Sequence, residues 1–278
     1  MRGIPFTVGQ KQRLKELDVN EAELNKTFSN VESREEAFRK LSGDLVKRQK
    51  KRLIEWRRAT KRLPIKILEN KLIESIRHLG FVEVTTPTIV PKSFIERMGI
   101  RFGDHLWKQI LWVNEKRCLR PMLAPNLYFV MANLRKLWKP VRIFEVGSCF
   151  RKDTKGQRHL EEFTMLNLVE LAPEVNPMER LRELISQTMG GLGVKNYEVK
   201  SEKAEVYGST TDIIVNGVEV ASAATGPIDV DRNWSIVDPW VGIGFGLERL
   251  TMAVEKCGSI TKVGRSLVYV GECRLDIK

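Results

Sequence analysis

The sequence predicts an α+β fold: an antiparallel sheet flanked by helices, preceded by a basic helical segment. Three observations carry this. The runs ILWVN, CLRPML, VRIFEVGSCF, EFTMLNLVEL and TDIIVNGVEVASAA follow one another with little helix between them. Strands in succession favour antiparallel pairing over strict β-α-β units. Helical periodicity is confined to a few stretches, of which PIKILENKLIESIRHLG is the clearest. The formal charge of +12 is also concentrated, because residues 39–62 hold eleven Lys and Arg against Asp44 and Glu55.

From the start, residues 7–38 read as two short helices, QKQRLKEL and SREEAFRKL, with Ser33 as N-cap and Glu36 as its capping-box partner. Residues 39–62 read as a basic amphipathic helix, with Leu45, Val46, Leu53, Ile54, Trp56 and Ala59 at loose helical spacing. Such a charge run is commonly a solvated face. Cations this dense repel one another, however, and a polyanion relieves that cost while releasing its counterions, which favours nucleic acid. A membrane surface is the weaker reading, since Trp56 with a few aliphatics makes a poor apolar face.

A boundary near Pro64 divides a helical basic segment, 1–63, from the main domain, 64–278. The helix after Pro64 ends at Gly80, a natural C-cap, and FVEVTTPTIV reads as a strand interrupted by Pro87. RIFEVGSCFRKDTKGQRHLEEFTMLNL reads as a long hairpin with Arg151 at a strand end and charge in its tip. Arginine suits a phosphate there because its fixed fork donates two parallel bonds.

VGIGFGLERL closes the series. A dinucleotide fingerprint belongs early in a β-α-β unit with an acid about 20 residues on, yet only 32 residues follow Gly246, and no P-loop spacing occurs. Glycines at every second position strip one face of a strand of its side chains, leaving backbone against which a planar ring can lie. Arg249 then falls in the first turn of a helix, where it can reach a nucleotide. Close helix-strand packing, with Glu248 and Arg249 as surface charges, accounts equally well for this stretch alone.

Several classes are excluded. No stretch reaches the roughly 18 apolar residues of a membrane span, and the start lacks an apolar signal core, so the expectation is a soluble cytoplasmic protein. Cys118, Cys149, Cys257 and Cys273 form no Cys-x-x-Cys, and His78, His105 and His159 show no ligand spacing, which argues against zinc. The cysteines read as reduced, small buried hydrophobes.

Three stretches in this order resemble the signature motifs of class II aminoacyl-tRNA synthetases. The first is matched by Gly80, Phe81, Val84, Pro87, Thr88 and Ile89, with Thr88 the loose fit. The second is matched by Phe150, Arg151 and Asp153, and the third by residues 244–249. Each is weak alone; the trio at these separations is specific. The longer strings CLRPMLAPNLY, HLEEFTMLNL and DPWVGIGFGLERL, with residues 219–222, are similar to the pyrrolysyl-tRNA synthetase family, in its form without a separate N-terminal RNA-binding domain. The resemblance covers residues 64–278 and is fainter before them.

The resemblance implies the class II catalytic fold and the ATP-dependent joining of an amino acid to the 3′ end of a tRNA. The implied nucleotide site comprises Arg151, Asp153, His159, Leu160, Phe163, Met165, Glu219, Ser222 and Arg249. Arg151 would hold the α-phosphate, Arg249 and Phe163 would sandwich the adenine, and Arg151 and Arg249 would be the catalytic pair. Glu219 and Ser222 match the Mg2+ site; three residues apart on a regular strand they would face opposite ways, so a bulge is expected between them. The chemistry needs positioned charge rather than a protein nucleophile.

The implied amino-acid pocket comprises Met122, Ala124, Leu127, Tyr128, Met131, Asn167, Val169, Tyr207, Ser222, Ala224, Trp240 and Gly242. Asn167 would bond the side-chain amide of pyrrolysine and Tyr207 would cap its ring. Met122 and Ala224 are equally readable as core. An amide in TMLNLV is costly unless paired, and the alternative for Asn167 is a structural amide bonded to backbone. Val169, Leu168, Met131 and Asp153 depart from the Cys, Phe, Leu and Glu of better-known members. The cognate tRNA would be held by the catalytic body and by Lys47, Arg48, Lys50, Lys51, Arg52, Arg57 and Arg58, and the family pattern implies a homodimer with the first motif at its interface. Rival readings are a phenylalanine or phosphoserine enzyme of the same class, a synthetase-like protein that does not charge tRNA, and a noncatalytic nucleic-acid-binding module.

Overall fold

The computed structural model describes residues 3–152 and 160–277. It divides into two compact units, Met1–Leu63 with Ser266–Lys278, and Pro64–Arg265. Sequence pattern alone carries no sign of the C-terminal return.

In the first unit, β1 (Ile4–Pro5) leads into α1 (Val8–Glu16), α2 (Glu21–Leu24), β2 (Thr27–Phe28) and α3 (Val31–Arg58), with β1 and β2 antiparallel. Helix α1 starts at Val8 because Thr7 caps it: Gln10 N donates to Thr7 Oγ1 at 3.2 Å, and the Gln10 side chain returns to Thr7 N at 3.0 Å. The second expected helix and the basic helix are one 28-residue helix. Its N-cap is Asn30, which accepts Ser33 N at 2.8 Å, so Ser33 sits at the third helical position and is not the cap. Helix α3 ends at Arg58 rather than running to 62, and Thr60 takes a left-handed φ of 47° just beyond.

Leu45 on α3 packs with Phe6, Leu14, Leu17 and Leu24. Gln49, fully buried, donates to Leu17 O at 3.2 Å and accepts from Arg274 N at 3.1 Å, which ties in the short C-terminal pairing of Tyr269–Val270 with Cys273–Arg274. Arg274 also pairs with Glu16.

The second unit opens with α4 (Pro64–His78), whose Ile65, Leu68, Leu72 and Ile76 form one buried stripe. Gly80 holds φ +84°, the left-handed value glycine accepts at no steric cost. The expected strand FVEVTTPTIV is two short ones, β3 (Val82–Glu83) and β4 (Ile89–Pro91), which enter different sheets. Pro87 lies in the gap and offers no N–H to a ladder. Next come α5 (Lys92–Arg97), α6 (His105–Gln109), β5 (Trp112–Asn114), β6 (Arg117–Leu119) and α7 (Ala124–Leu134). The hairpin β7 (Val141–Phe150) and β8 (Glu162–Leu171) is followed by α8 (Pro177–Gly191), β9 (Glu198–Ala204), β10 (Gly208–Val215), β11 (Val218–Gly226), β12 (Trp240–Gly246) and α9 (Leu247–Val254).

The main sheet runs β3-β7-β8-β12-β11-β10-β9, antiparallel throughout except that β3 lies parallel to β7; β4, β6 and β5 form a small separate sheet. Period-two alternation divides its two faces. Val241, Ile243 and Phe245 on β12 are fully buried, as are Leu166 and Leu168 on β8. On the same face of β8, Glu170 accepts from Arg180 of α8 at 2.7 Å and from Arg142 at 2.9 Å. The opposite face, bearing Phe163, Met165, Asn167 and Val169 with Gly242, Gly244 and Gly246, carries the cavities. Cys118, Cys149 and Cys273 are buried, and burial pushes the Cys118 and Cys149 thiols up to about 11 and about 12, which keeps them protonated. Among the described residues no helix is long and apolar enough to cross a membrane.

Candidate active site

Two adjoining cavities open on the glycine-bearing face of the main sheet. The larger, about 520 Å3, is lined by Arg151, Leu160, Phe163, Met165, Glu219, Ser222, Gly244, Gly246 and Arg249, together with His105 and Gln109 of α6. The smaller, about 200 Å3, is lined by Met122, Ala124, Leu127, Tyr128, Met131, Asn167, Val169, Tyr207, Ser222, Ala224, Trp240 and Gly242. Arg151, Met165, Tyr207, Thr210, Ser222 and Gly244 border both, so the two form one continuous depression. Every residue expected in the amino-acid pocket lines the smaller cavity. Of the expected nucleotide residues, all but Asp153 and His159 line the larger; those two lie outside the described residues.

Arg151 sits where β7 ends, and its Nε donates to Pro121 O at 2.9 Å. That bond aims the rest of the fork into the depression and holds it 5.4 Å from the Phe163 ring centroid. Burial, with Arg249 nearby, lowers its affinity for a proton, while Cys149 and Glu219 oppose the shift. A guanidinium remains charged under such pressure. A half-buried cation facing a cleft is what an anionic ligand stabilises.

Arg249, in the first turn of α9, lies 3.3 Å from Glu219. Its neighbour Glu248 is not a surface charge. It is 1 % exposed and accepts Thr164 N at 3.0 and 2.8 Å through its two oxygens, clamping α9 to β8. Burial raises its pKa against the pull of those hydrogen bonds. Of the two adjacent charges, one thus fixes the helix and the other faces the cleft.

The expected bulge is present. Ile213 pairs with Ala221 and Ile214 with Glu219, which leaves Val220 as the extra residue of β11. Glu219 and Ser222 therefore both line the larger cavity. Ser222 Oγ donates to Asp212 at 2.6 Å across the β10–β11 pair, a partner that sequence pattern does not single out. Among the described residues no three His, Cys, Asp or Glu side chains gather. Two hard oxygens beside a phosphate-sized space nevertheless suit Mg2+, which keeps waters and takes most of its ligands from substrate.

The alternate glycines have a distinct use. Gly244 faces Asn167 across β8–β12, and a Cβ at Gly244 would lie 3.1–3.3 Å from the Asn167 amide. Among the described residues Asn167 Oδ1 is buried without a hydrogen-bond partner. No backbone group among the described residues bonds that oxygen, and a buried amide left unpaired costs about 1–3 kcal/mol. Gly244→Ala is expected to displace that amide and, because Gly244 borders both cavities, to disturb ligands in each.

On α3, Lys47, Lys50, Lys51, Arg57 and Arg58 are exposed. Arg48 and Arg52 work inside their own unit: Arg48 donates to Asp18 O, and Arg52 bridges Asp18 at 3.2 Å and Glu272 at 3.3 Å. His105, Gln109, Asp212 and the Glu248 clamp have no sequence signal beyond their place beside recognised motifs.

The chain matches the family described as phenylalanyl tRNA synthetase beta chain CLM domain over residues 51–241. It is 30% identical over 141 residues to a histidine–tRNA ligase of Methanococcus aeolicus, covering 48% of this chain and 32% of that protein. A threonine–tRNA ligase of Ehrlichia ruminantium is 26% identical over 98 residues, 34% of this chain and 15% of that protein. The chain thus spans about a third or less of these curated relatives. Among solved structures, a pyrrolysyl-tRNA synthetase from Desulfitobacterium hafniense superposes with a TM-score of 0.91 at 42% identity, covering 99% of each chain.

Proposed function

The chain belongs to the phenylalanyl-tRNA synthetase β-chain CLM domain family and, among class II aminoacyl-tRNA synthetases, to the pyrrolysyl-tRNA synthetases, and on that premise we propose that it activates pyrrolysine or a related Nε-substituted lysine with ATP and transfers it to its cognate tRNA. The observation that carries the substrate class is the Asn167 Oδ1, buried without a partner among the described residues in a mostly apolar pocket, continuous with a cleft edged by two arginines. A lysine stem fills such a pocket and a side-chain amide supplies the missing partner. A phenylalanine or phosphoserine pocket has no use for a neutral amide acceptor. Pyrophosphate exchange across the standard amino acids, pyrrolysine and simple Nε-acyl-lysines tests this; activation confined to the lysine derivatives is expected, and activation of phenylalanine alone would overturn it.

In this reading the substrate carboxylate attacks the α-phosphorus and pyrophosphate leaves. Arg151 holds the α-phosphate where negative charge builds, and its anchor on Pro121 keeps it in place without reorganisation. Phe163 and Arg249 take the two faces of the adenine, and the Gly244–Gly246 strand, bare of side chains on this face, leaves room for the ring between them. Glu219 and Ser222 would hold Mg2+, which supplies Lewis-acid stabilisation of phosphate charge. Arg249 then leaves its contact with Glu219 and stacks its guanidinium plane on the neutral base, which frees the Glu219 carboxylate.

The tRNA is held in part by the exposed face of α3. Changing Lys47, Lys50 and Lys51 to glutamine is expected to weaken tRNA binding and flatten its salt dependence, by about one unit of log–log slope for each phosphate left unneutralised, with pyrophosphate exchange unaffected. Filter binding across salt concentrations reads this, and an unchanged slope returns α3 to a plain solvated face. A homodimer through the first motif is supported by apolar side chains left in water there, Val82 at 61% and Ile89 at 47% exposure. Sedimentation is expected to give twice the 31.9 kDa chain mass, and Ile89→Asp is expected to shift it toward monomer.

A further inference from the structure

Asp231 belongs to none of the motifs and does not line either cavity, yet its carboxylate is buried at 1% exposure on the 3-10 turn Asp229–Trp234. Its Oδ1 accepts from the Tyr128 hydroxyl at 2.7 Å. Its Oδ2 accepts from Trp240 Nε1 at 2.8 Å and from Ile228 N at 2.7 Å. Tyr128 and Trp240 are two large aromatic walls of the smaller cavity, with ring centroids 5.9 Å apart, and the Tyr207 ring lies 6.1 Å from Trp240. Each of the two walls has one polar edge, and a single carboxylate behind them takes both.

The indole is confined as well: a Cβ at Gly226 would fall 1.9 Å from Trp240 Nε1, so that glycine gives Trp240 its place. Because an ionised carboxylate only accepts, its two oxygens turn every one of these donors toward it and away from the cavity. The substrate then meets ring carbon on these sides, while Asn167 offers it a buried oxygen that has no partner among the described residues.

We propose that Asp231 is a specificity-determining positioning residue: by consuming the polar edges of Tyr128 and Trp240 it keeps the amino-acid pocket apolar, so that a long stem bearing an apolar acyl group is accepted over one bearing a polar group. This rests on the substrate class proposed above. Asparagine at 231 has the same shape and the opposite logic. Its oxygen can still serve Ile228 N and Trp240 Nε1, but its amide N–H then faces Tyr128 and donates. The phenol becomes an acceptor and its proton must turn elsewhere, which introduces a donor at the pocket wall.

The test is pyrophosphate exchange by the unsubstituted chain, Asp231→Asn and Asp231→Asn with Tyr128→Phe. The substrates are Nε-acyl-lysines with plain alkyl acyl groups and counterparts ending in a hydroxyl. In Asp231→Asn the KM for the alkyl substrates is expected to rise about tenfold while the KM for ATP stays within about twofold, and the alkyl-to-hydroxyl ratio of kcat/KM is expected to fall about tenfold. Removing the phenol in the double variant is expected to return that ratio to within about threefold of the starting value. A merely structural Asp231 predicts a lower Tm and an equal loss with every substrate, with the ratio unmoved, and that outcome overturns the proposal. Should Asp231→Asn fail to fold, Asp231→Ser also strips Tyr128 and Trp240 of their carboxylate; a fall in the same ratio then supports the proposal and an unmoved ratio overturns it. If the unsubstituted chain activates no lysine derivative, the substrate reading falls and takes this inference with it; if it does and the ratio holds, only this inference falls.

Discussion

Replacing Arg151 with alanine is expected to cut amino-acid-dependent pyrophosphate exchange at least a hundredfold while the chain stays folded. A fixed charge aimed at developing negative charge in a water-poor cleft is worth about 3 kcal/mol or more of barrier, which is a factor of roughly a hundred in rate. The fold depends far less on it. Among the described residues the Arg151 side chain makes one hydrogen bond, to Pro121 O, and its loss costs about 1 kcal/mol, a few degrees in Tm at most. Arg151→Lys is expected to fall between, since it keeps the charge and loses the fork together with the Nε anchor. Circular dichroism melts beside the exchange assay separate the two effects. Near-normal exchange by a folded alanine variant would remove the proposed catalysis.

The parts of the fold legible in the sequence are those where a strong period meets a strong stop. Strands β7 and β8 read from end to end because an apolar run ends abruptly in a charged tip, and α4 reads cleanly between Pro64 and Gly80. Strand β9, EVKSEKA, has almost no buried residue and no alternation to see. It exists because β10 supplies a ladder, and its lysines and glutamates guard an open edge. The unity of α3 is hidden by Ser33, a good cap residue that here serves as the third position of a helix begun at Asn30.

The site divides the same way. Arg151, Arg249, Glu219 and Ser222 are visible through the resemblance that a hairpin, a strand and a strand-to-helix joint, each weak alone, together bear to the class II motifs. The groups behind them are not visible. Asp231 sits among turn residues where acids are common, and Asp212 gains its meaning only from the cross-strand register that brings it to Ser222. Sequence spacing locates groups on one element; the supporting groups come from other elements and depend on pairing.

Asn167→Leu is expected to lower kcat/KM for an Nε-acyl-lysine about a hundredfold and, unusually for a pocket substitution, to raise Tm by a few degrees. A pocket that offers a hydrogen bond to a substrate amide discriminates through the cost of leaving that amide unpaired, and leucine imposes that cost on the productive substrate. The gain in stability follows from the free protein. There the Asn167 oxygen is buried with no partner among the described residues, so leucine breaks no hydrogen bond of the fold. Replacing an orphaned polar group by an apolar one of similar size is neutral or stabilising, and about 1 kcal/mol corresponds to some 2–4 °C in a chain of this size. A structural amide makes the opposite forecast: bonded to backbone, its loss would lower Tm and damage activity with all substrates alike. The signs of the two changes, read together from a melt and an exchange assay, therefore distinguish a group held in reserve for a ligand from one that supports the fold.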